Sequence, residues 1–420
     1  MNRNRLEPLG VPHGDYDFGS EFEQQSRRSD PTFLDRWLLS QLRQRLGNSP
    51  VSVALWDEKE STSKRGATVR FGDRGALWQT LINPALHFGD LYSSGRLSVQ
   101  GDLLLVLNEA YRYLEENPPK SRLLSGAKAI APDLSESRRN IHHHYDLGNE
   151  FYKLWLDREA MQYTCAYYPE PAMTIEQAQQ AKMHHVARKL RLSTGERVVE
   201  AGGGWGGLAL FMAKNYGVKV RSFNISTEQI AYSREWAERE NLAGLVEFVE
   251  DDFRNMTGKY DAFVSVGMLE HVGPGNYERM GQLMSRVLTP EGRGLVHTIG
   301  RDRPGRLNDW IDKRIFPGAH PPTLREMMDL FESSNFSVLD VENIRLHYAE
   351  TLKAWLERYE ENVEAVRDMF DEPFVRAWRL YLAGSIMAFV RGNLQLFQVV
   401  FARSGANNIP WSRKHIYVDE

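Results

Sequence analysis

Residues 198–207 read Val-Val-Glu-Ala-Gly-Gly-Gly-Trp-Gly-Gly, and the apolar run Leu-Ala-Leu-Phe follows directly. A short apolar run that ends in glycines and leads into a second apolar run predicts a strand, a tight turn and the start of a helix. Glycines allow the backbone to approach a ligand closely, and the first N–H groups of a helix have no partner within that helix. The stretch therefore predicts a cofactor-binding turn, although a plain turn or a dinucleotide site would fit the glycines alone.

Further strand-like runs alternate with helical patterns after this turn. They are Val218–Phe223, Val246–Glu250, Tyr260–Val266 and Gly294–Val296. Such alternation predicts an α/β fold with a mostly parallel sheet and helices on both faces, and polar residues collect at the carboxyl ends of the strands, where open parallel sheets bind ligands. The second run ends at Asn224 instead of the acidic residue that a dinucleotide ribose favours, so a nicotinamide dinucleotide is disfavoured.

The composition indicates a globular protein without a strong charge bias. Of 420 residues, 42% are hydrophobic and the formal net charge is −4, which predicts two or three domains and gives no reason to expect a nucleic acid partner. One cysteine, Cys165, excludes an intramolecular disulfide and fits a reducing cytoplasm. The most apolar tract, residues 380–401, is interrupted by polar residues such as Arg391, so no spanning helix is expected.

Changes in composition divide the chain into four predicted segments. Residues 1–30 are polar and are expected to be a flexible leader. Residues 31–118 are expected to form a small α+β domain with Trp37, Trp56 and Trp78 in its core, followed by a linker at 119–140. The remaining residues, 141–420, form the predicted catalytic domain, in which aromatic-rich helices at 351–367 and 374–390 serve as core or as walls of an apolar slot.

Six ordered motifs resemble the cyclopropane fatty acid synthases. They cover roughly residues 140–405: HYDLGN at 144–149, MQYTCAYY at 161–168, the glycine turn, NISTEQ at 224–229, VGMLEHVG at 266–273 and HTIG at 297–300. Members of that family are S-adenosylmethionine-dependent methyltransferases that act on unsaturated acyl chains of phospholipids. The resemblance therefore implies a Rossmann-like methyltransferase fold with a small α+β amino-terminal domain.

The resemblance also implies which residues bind S-adenosylmethionine. Many family members have aspartate where this chain has Glu200, and a cysteine is common where it has Gly203. The implied cofactor-binding residues are Tyr145, Tyr163 and Thr164 in the segment that closes over the cofactor, Glu200, Gly202 and Gly204 at the turn, and Asn224, Gln229, Asp252 and Phe253 after the next two strands.

A second set of residues matches the positions with which the family holds a bicarbonate ion. The ion serves as the base that removes a proton from the added methyl group, so that a carbocation closes to a cyclopropane ring. The set consists of Cys165, Glu270, His297, the backbone of Ile299, and Tyr348, with His271 in a supporting role. An enzyme of the same scaffold that stops at a methyl-branched or methylene product is the main alternative.

Two other classes of protein, a zinc protein and a lipid-binding protein without activity, compete with this interpretation. A zinc site could use Cys165, Glu270, His271 and His297, but these residues lack a closely spaced pair of ligands, and adjacent histidines such as His142 and His143 do not share a face, so no metal is expected. A lipid-binding protein without activity would not need polar residues at the strand ends.

The implied partners are lipids. The resemblance implies a membrane phospholipid with an unsaturated acyl chain, and the turn at 95–102 resembles the synthases' amino-terminal domain, which suggests interdomain packing or a homodimer. Since no spanning helix is expected, we expect a cytoplasmic protein associated peripherally with the inner face of the cell membrane. The basic residues proposed to contact the lipid surface are Arg306, Lys313, Arg314 and Arg325.

Overall fold

The computed structural model describes residues 29–58, 66–117 and 147–417. Nearly all of the predicted leader, the predicted linker and Tyr145 therefore lie outside the described residues. The described residues divide into two compact units, one containing 29–58, 66–117, 308–310 and 352–391, the other containing 147–307, 311–351 and 392–417. The predicted segment boundaries stay a prediction, but residues 352–391 group with the amino-terminal unit.

Helices and strands alternate along most of the described chain. The strands are β1 (Val51–Ala54), β2 (Ala67–Phe71), β3 (Leu97–Gly101), β4 (Arg197–Ala201), β5 (Lys219–Asn224), β6 (Val246–Glu250), β7 (Tyr260–Val266), β8 (Leu288–Gly300), β9 (Phe336–Asn343) and β10 (Gln395–Arg403). The helices are α1 (Phe33–Leu46), α2 (Arg74–Ile82), α3 (Pro84–Ser93), α4 (Leu103–Glu116), α5 (Asn149–Lys153), α6 (Ile175–Lys189), α7 (Gly207–Tyr216), α8 (Thr227–Arg239), α9 (Tyr277–Val287), α10 (Asp309–Arg314), α11 (Leu324–Met327), α12 (Arg345–Glu361), α13 (Val363–Met369), α14 (Glu372–Val390) and α15 (Lys414–Tyr417).

The amino-terminal unit contains a three-stranded sheet in the order β1-β2-β3, with β1 and β2 parallel and β2 and β3 antiparallel. Its helix α14 is attached by Arg376, which donates from Nε to the Tyr92 carbonyl at 2.6 Å and from Nη2 to the Leu97 carbonyl at 3.1 Å. The Arg376 guanidinium also lies 4.4 Å from the centroid of the Tyr92 ring. These contacts explain why the carboxyl-terminal helices group with this unit.

The expectation for the tryptophans of this unit was partly wrong. Trp37 and Trp78 are 49% and 38% exposed, while Trp56 is half-buried and donates its indole N–H to the Ser29 carbonyl. Helix α1 instead turns Asp35 inward, where the carboxylate accepts from Arg74 Nε at 3.0 Å. Because this ion pair fixes the buried face of α1, Trp37 is left on the outside.

The large unit is built on a seven-stranded sheet in the order β6-β5-β4-β7-β8-β10-β9. Strands β4 to β8 are parallel, and β10 lies between β8 and β9 and is antiparallel to both. This arrangement confirms the predicted α/β class and each of the predicted strands, although β8 begins six residues earlier than the run that predicted it.

Both faces of this sheet are covered by helices, as is usual for a mostly parallel sheet. Successive residues of a strand point to opposite faces, so Val198 packs with helices α6, α7 and α8 and Val199 packs with α9. Because β4, β5 and β7 are parallel, their polar carboxyl ends meet at one edge of the sheet. As for the bilayer, none of the helices within 29–58, 66–117 and 147–417 has the length and apolarity needed to cross it.

Candidate active site

The glycine turn between β4 and α7 is shaped by close contacts on two sides. Gly206 adopts a left-handed conformation (φ 87°), and a Cβ there would lie 2.6 Å from the Phe248 ring. A Cβ on Gly203 would lie 2.0 Å from Ser222 Oγ and 3.1 Å from Glu200 Oε2. Only glycine fits either position without a shift of its neighbours.

A cavity at the carboxyl ends of β4, β5, β6 and β7 brings together the predicted cofactor-binding residues. Of the ten, Tyr145 lies outside the described residues. The other nine all line this one cavity: Tyr163, Thr164, Glu200, Gly202, Gly204, Asn224, Gln229, Asp252 and Phe253. His271 also lines it, together with residues that the sequence did not single out, such as Trp205 and Met268.

Polar side chains in the cavity are held by hydrogen bonds that leave some atoms for a ligand. Asn224 Nδ2 donates to the Gly204 carbonyl at 3.0 Å and to Gln229 Oε1 at 2.8 Å, while Asn224 Oδ1 accepts from the Ser226 N–H. Gln229 Nε2 is buried and has no partner among the described residues. A buried donor of this kind is suited to an acceptor on a ligand, such as a ribose hydroxyl oxygen.

Glu200 lies at the end of β4 with its carboxyl group buried beneath the turn. Ser222 Oγ donates to Glu200 Oε2 at 2.6 Å. Burial raises the pKa of Glu200 to about 7, although the Ser222 hydroxyl and the Lys182 ammonium oppose the shift. The longer side chain that replaces aspartate is thus accommodated by a serine on the neighbouring strand and by the absence of a side chain at Gly203.

Lys182, on α6, was not identified from the sequence. Its ammonium group donates to Gln162 Oε1 and, at 3.1 Å, to Thr164 Oγ1, and its side chain is fully buried. Burial lowers the pKa of Lys182 to about 8. Its charge influences the pKa of Cys165, Glu200 and His297, so these groups lie within electrostatic range of one lysine.

Glu270 and His297 come together where β7 and β8 end. Val266 and His297 are register partners on these strands, and Glu270 follows in the turn after β7. The Ile299 N–H donates to Glu270 Oε1, while Glu270 Oε2 is buried and has no partner among residues 29–58, 66–117 and 147–417. Burial raises the pKa of Glu270 to about 7, because a carboxylate loses its hydration there.

His297 presents a second buried atom without a partner. Its Nδ1 lies 3.1 Å from Gln398 Nε2, whereas its Nε2 has no partner in the described part of the chain. Burial holds the pKa of His297 well below its usual value, so the imidazole is neutral. Gln398 is the second residue of this site that the sequence did not single out.

Cys165 and Tyr348 are linked through the backbone and α12. The Ala166 N–H donates to Thr351 Oγ1 at 3.0 Å, and Thr351 lies three residues after Tyr348 on the same helix face. Cys165 is fully buried and donates from Sγ to the Ala166 carbonyl, and burial raises the pKa of its thiol far above the usual range. Tyr348 is buried as well.

Comparison with known proteins identifies the family of this chain. The family model for mycolic acid cyclopropane synthetase matches residues 133–399, more than half of the chain. The chain belongs to this family. Among curated relatives, a probable fatty acid methyltransferase of Pseudomonas putida is 35% identical over 389 residues, covering 88% of this chain and 96% of that protein. The cyclopropane-fatty-acyl-phospholipid synthase of Escherichia coli K12 is 40% identical over 271 residues, covering 64% of this chain and 69% of that protein.

Solved structures of the synthetase family agree with the fold. The cyclopropane synthase MmaA2 of Mycobacterium tuberculosis has a TM-score of 0.61 at 26% identity, and it covers 65% of this chain and 99% of its own. The mycolic acid cyclopropane synthase CmaA1, complexed with SAH and CTAB, gives the same TM-score and coverage at 25% identity. The protein is thus an S-adenosylmethionine-dependent methyltransferase of the synthetase family, as the motifs implied.

The alternative zinc site finds no counterpart in the described residues of this protein. Within 29–58, 66–117 and 147–417, no three histidine, cysteine or acidic side chains are placed to hold one metal ion. The adjacent His142 and His143 lie outside these ranges. The donors present at the strand ends are instead a carboxyl group, an imidazole and backbone amides, which suit an organic cofactor and an oxyanion.

Proposed function

We propose that this protein transfers a methylene group from S-adenosylmethionine to the cis double bond of an unsaturated acyl chain in a membrane phospholipid, forming a cyclopropane ring. The family membership supports methyl-group chemistry on lipids. The observation that carries the ring-forming step is the presence of two buried atoms without a partner in the described chain, Glu270 Oε2 and His297 Nε2. Neither residue lines the cofactor cavity, but Glu270 lies in sequence between Met268 and His271, which do line it.

The cavity residues fit S-adenosylmethionine, which supplies an electrophilic methyl group when bound. Gln229 Nε2 offers a buried donor, Asn224 is held in place by two acceptors, and the glycine turn leaves room for close backbone approach. The pKa of Glu200 is raised to about 7, so its carboxyl group can donate a hydrogen bond to the amino acid end of the cofactor when protonated, or accept one from it when ionised. These residues orient the donor and exclude water from it.

Glu270 and His297 fit a bicarbonate ion, which supplies a base when bound. A neutral imidazole with its proton on Nε2 donates to an oxyanion, and Glu270 can do the same from Oε2 while it is protonated. The raised pKa of Glu270 removes the repulsion that two anions would otherwise suffer. The Ile299 N–H already donates to Glu270, so an ion at this position would share that donor.

A second candidate function is a fatty-acyl C-methyltransferase that releases a methyl-branched or methylene product. The similarity to a probable fatty acid methyltransferase over 88% of the chain favours it. The two functions differ in how the carbocation loses its charge. Direct loss of a proton from the added methyl group closes the ring. Loss of a proton from the acyl chain leaves a methyl-branched alkene, and a hydride shift followed by loss of a methyl proton leaves a methylene group.

We also propose that the protein acts in the cytoplasm at the inner face of the cell membrane. Arg306, Lys313, Arg314 and Arg325 are exposed, and each basic residue near an anionic bilayer contributes about 1 kcal/mol of attraction. A homodimer stays a prediction from the resemblance of the amino-terminal domain.

Expression in a bacterium that lacks its own synthase tests this function. Fatty acid methyl esters would be analysed by gas chromatography and mass spectrometry against cyclopropane standards. The ring predicts a product one methylene heavier than the monounsaturated acid that resists mild hydrogenation, and that is strongly reduced by Glu270→Ala or Tyr348→Phe. A heavier product that still takes up hydrogen would instead support the branched or methylene alternative.

A further inference from the structure

Gln398 and His297 face each other across the antiparallel pair of β8 and β10. They are direct register partners, their exposed fractions are 0% and 1%, and Gln398 Nε2 lies 3.1 Å from His297 Nδ1. An amide nitrogen can only donate a hydrogen bond. His297 Nδ1 must therefore accept, so it carries a lone pair and not a proton.

This contact determines where the imidazole carries its single proton. A neutral imidazole has one N–H group, and if Nδ1 accepts, that group is at Nε2. His297 Nε2 is buried without a partner in the part of the chain that the structure describes. A buried N–H without an acceptor is costly, which indicates that a ligand supplies the acceptor.

The opposite orientation of the Gln398 amide would reverse these roles. With Oε1 facing His297 Nδ1, both amide N–H groups would lack an acceptor, whereas the observed orientation pairs one of them and leaves the other N–H group and Oε1 unpaired. His297 Nε2 would then carry a lone pair and could not donate to an oxyanion. On the other side of Gln398, its register partner Glu342 already accepts from His185 and Lys189.

We propose that Gln398 is a positioning residue that holds His297 in the tautomer with the proton on Nε2, so that the imidazole donates to the bicarbonate ion. The choice of ligand rests on the proposed function. The tautomer follows from the observed orientation of the Gln398 amide, and the NMR experiment below tests it without reference to the ligand. Gln398 itself acts only through His297 and needs no contact with substrate or ion.

Nitrogen NMR of the full-length protein with ¹⁵N-labelled histidine tests the tautomer directly. His297 is assigned among the 12 histidines by the signals lost in His297→Asn. We expect a pyridine-type Nδ1 and a pyrrole-type Nε2. Gln398→Glu should move the proton to Nδ1, since a carboxylate only accepts, and a pyrrole-type Nδ1 in the unmodified protein would overturn the proposal.

Kinetics in bicarbonate-depleted buffer test the consequence for the ion. Release of S-adenosylhomocysteine is followed with vesicles of unsaturated phospholipid while bicarbonate is added back. Gln398→Leu should raise the KM for bicarbonate about tenfold, the effect of one charge-assisted hydrogen bond, with the KM for S-adenosylmethionine unchanged. Gln395→Leu is a matched control on the same strand, because its side chain donates to the Gly392 carbonyl instead.

The positioning role of Gln398 and the proposed function are contradicted by different outcomes. Equal bicarbonate KM values for Gln398→Leu and the unmodified protein would overturn the positioning role. If the unmodified protein transferred no methyl group to lipid at any bicarbonate concentration, the proposed function would fail, while the NMR spectrum would still report the tautomer that Gln398 imposes.

Discussion

The Ile299 N–H donates to Glu270 Oε1 across 2.5 Å, and this bond joins the end of β8 to the turn that follows β7. It fixes one carboxyl oxygen against the sheet and leaves the other, Oε2, buried and without a partner in the described chain. Because β7 and β8 are parallel neighbours, their carboxyl ends meet at the same edge of the sheet, where Val266 and Gly267 line the cofactor cavity. The carboxyl group is thus held rigidly at the position where the proposed chemistry needs it.

Glu270→Gln should change how stability depends on pH. Since burial raises the pKa of Glu270 from 4.5 to about 7, the folded protein binds more protons than the unfolded chain between these values, and the free energy of unfolding falls as pH rises through them. The full contribution is about 3 kcal/mol, and it is present below pH 4.5 and lost above pH 7. Urea denaturation of both proteins from pH 4.5 to 7.5 measures the difference.

The amide of Glu270→Gln does not ionise, so this variant should lose less stability over that pH range. Glu238→Gln, an exposed change on α8, should leave the slope of the unmodified protein intact. If Glu270→Gln had the same slope as the unmodified protein, Glu270 would be ionised normally, and its suitability for an anion site would be lost.

Gly203→Ala should destabilise the protein and weaken S-adenosylmethionine binding. The new Cβ would lie 2.0 Å from Ser222 Oγ, and overpacking of this kind costs about 1–3 kcal/mol. Adding Ser222→Ala removes the hydroxyl and leaves the milder contacts of 3.1 Å with Glu200 Oε2 and 3.3 Å with Ser222 Cβ, so much of the loss should be recovered. Thermal unfolding and titration calorimetry measure both effects, and additive losses in the double variant would contradict this steric account.

Thr351→Val should impair activity through the backbone of the Cys165 segment. The isosteric valine leaves the buried Ala166 N–H without its acceptor, which costs about 1–3 kcal/mol. Since Thr351 also ties Ala166 to the helix that carries Tyr348, product formation should fall more than cofactor binding. Thr351→Ser keeps the hydroxyl and serves as the control. If the serine variant were as defective as the valine variant, the threonine methyl group and not the hydrogen bond would be responsible for the loss.

Lys313→Glu combined with Arg325→Glu should weaken binding to anionic vesicles. Reversing two charges at about 1 kcal/mol per basic residue reduces partitioning by more than tenfold at low salt, and the difference should shrink as salt rises. Sedimentation with phosphatidylglycerol vesicles measures it. Lys214→Glu with Arg239→Glu, exposed positions on α7 and α8, makes the same change in net charge elsewhere. An equal loss of vesicle binding in that control variant would show that net charge alone causes the effect.

Local patterns predicted the sheet and the cavity because both depend on residues close in sequence. Each predicted strand is a short run rich in apolar residues with polar residues at or just after its end, and parallel pairing brings those carboxyl ends to the same edge of the sheet. That is why Asn224, Asp252 and Glu270 could be assigned to one edge in advance.

Contacts between distant segments could not be predicted in the same way. Lys182 lies in a helix of mixed polarity, and nothing nearby marks it as the buried partner of Thr164. Gln398 becomes informative only because β10 pairs with β8 and puts it opposite His297. Trp37 was misassigned for a similar reason, since the buried carboxylate of Asp35, paired with the partly exposed Arg74, sets the orientation of α1.

Strand β10 lies between β8 and β9, although it follows both in the chain. During synthesis on the ribosome, β8 and β9 therefore emerge with unpaired edges and cannot complete the sheet until residues 395–403 have been made. The orientation of the His297 ring is likewise not fixed until Gln398 has been synthesised and β10 has paired with β8. The nascent enzyme should thus expose two aggregation-prone strand edges and remain inactive until residues 395–403 have left the exit tunnel, and we expect chaperones that bind emerging chains to protect those edges.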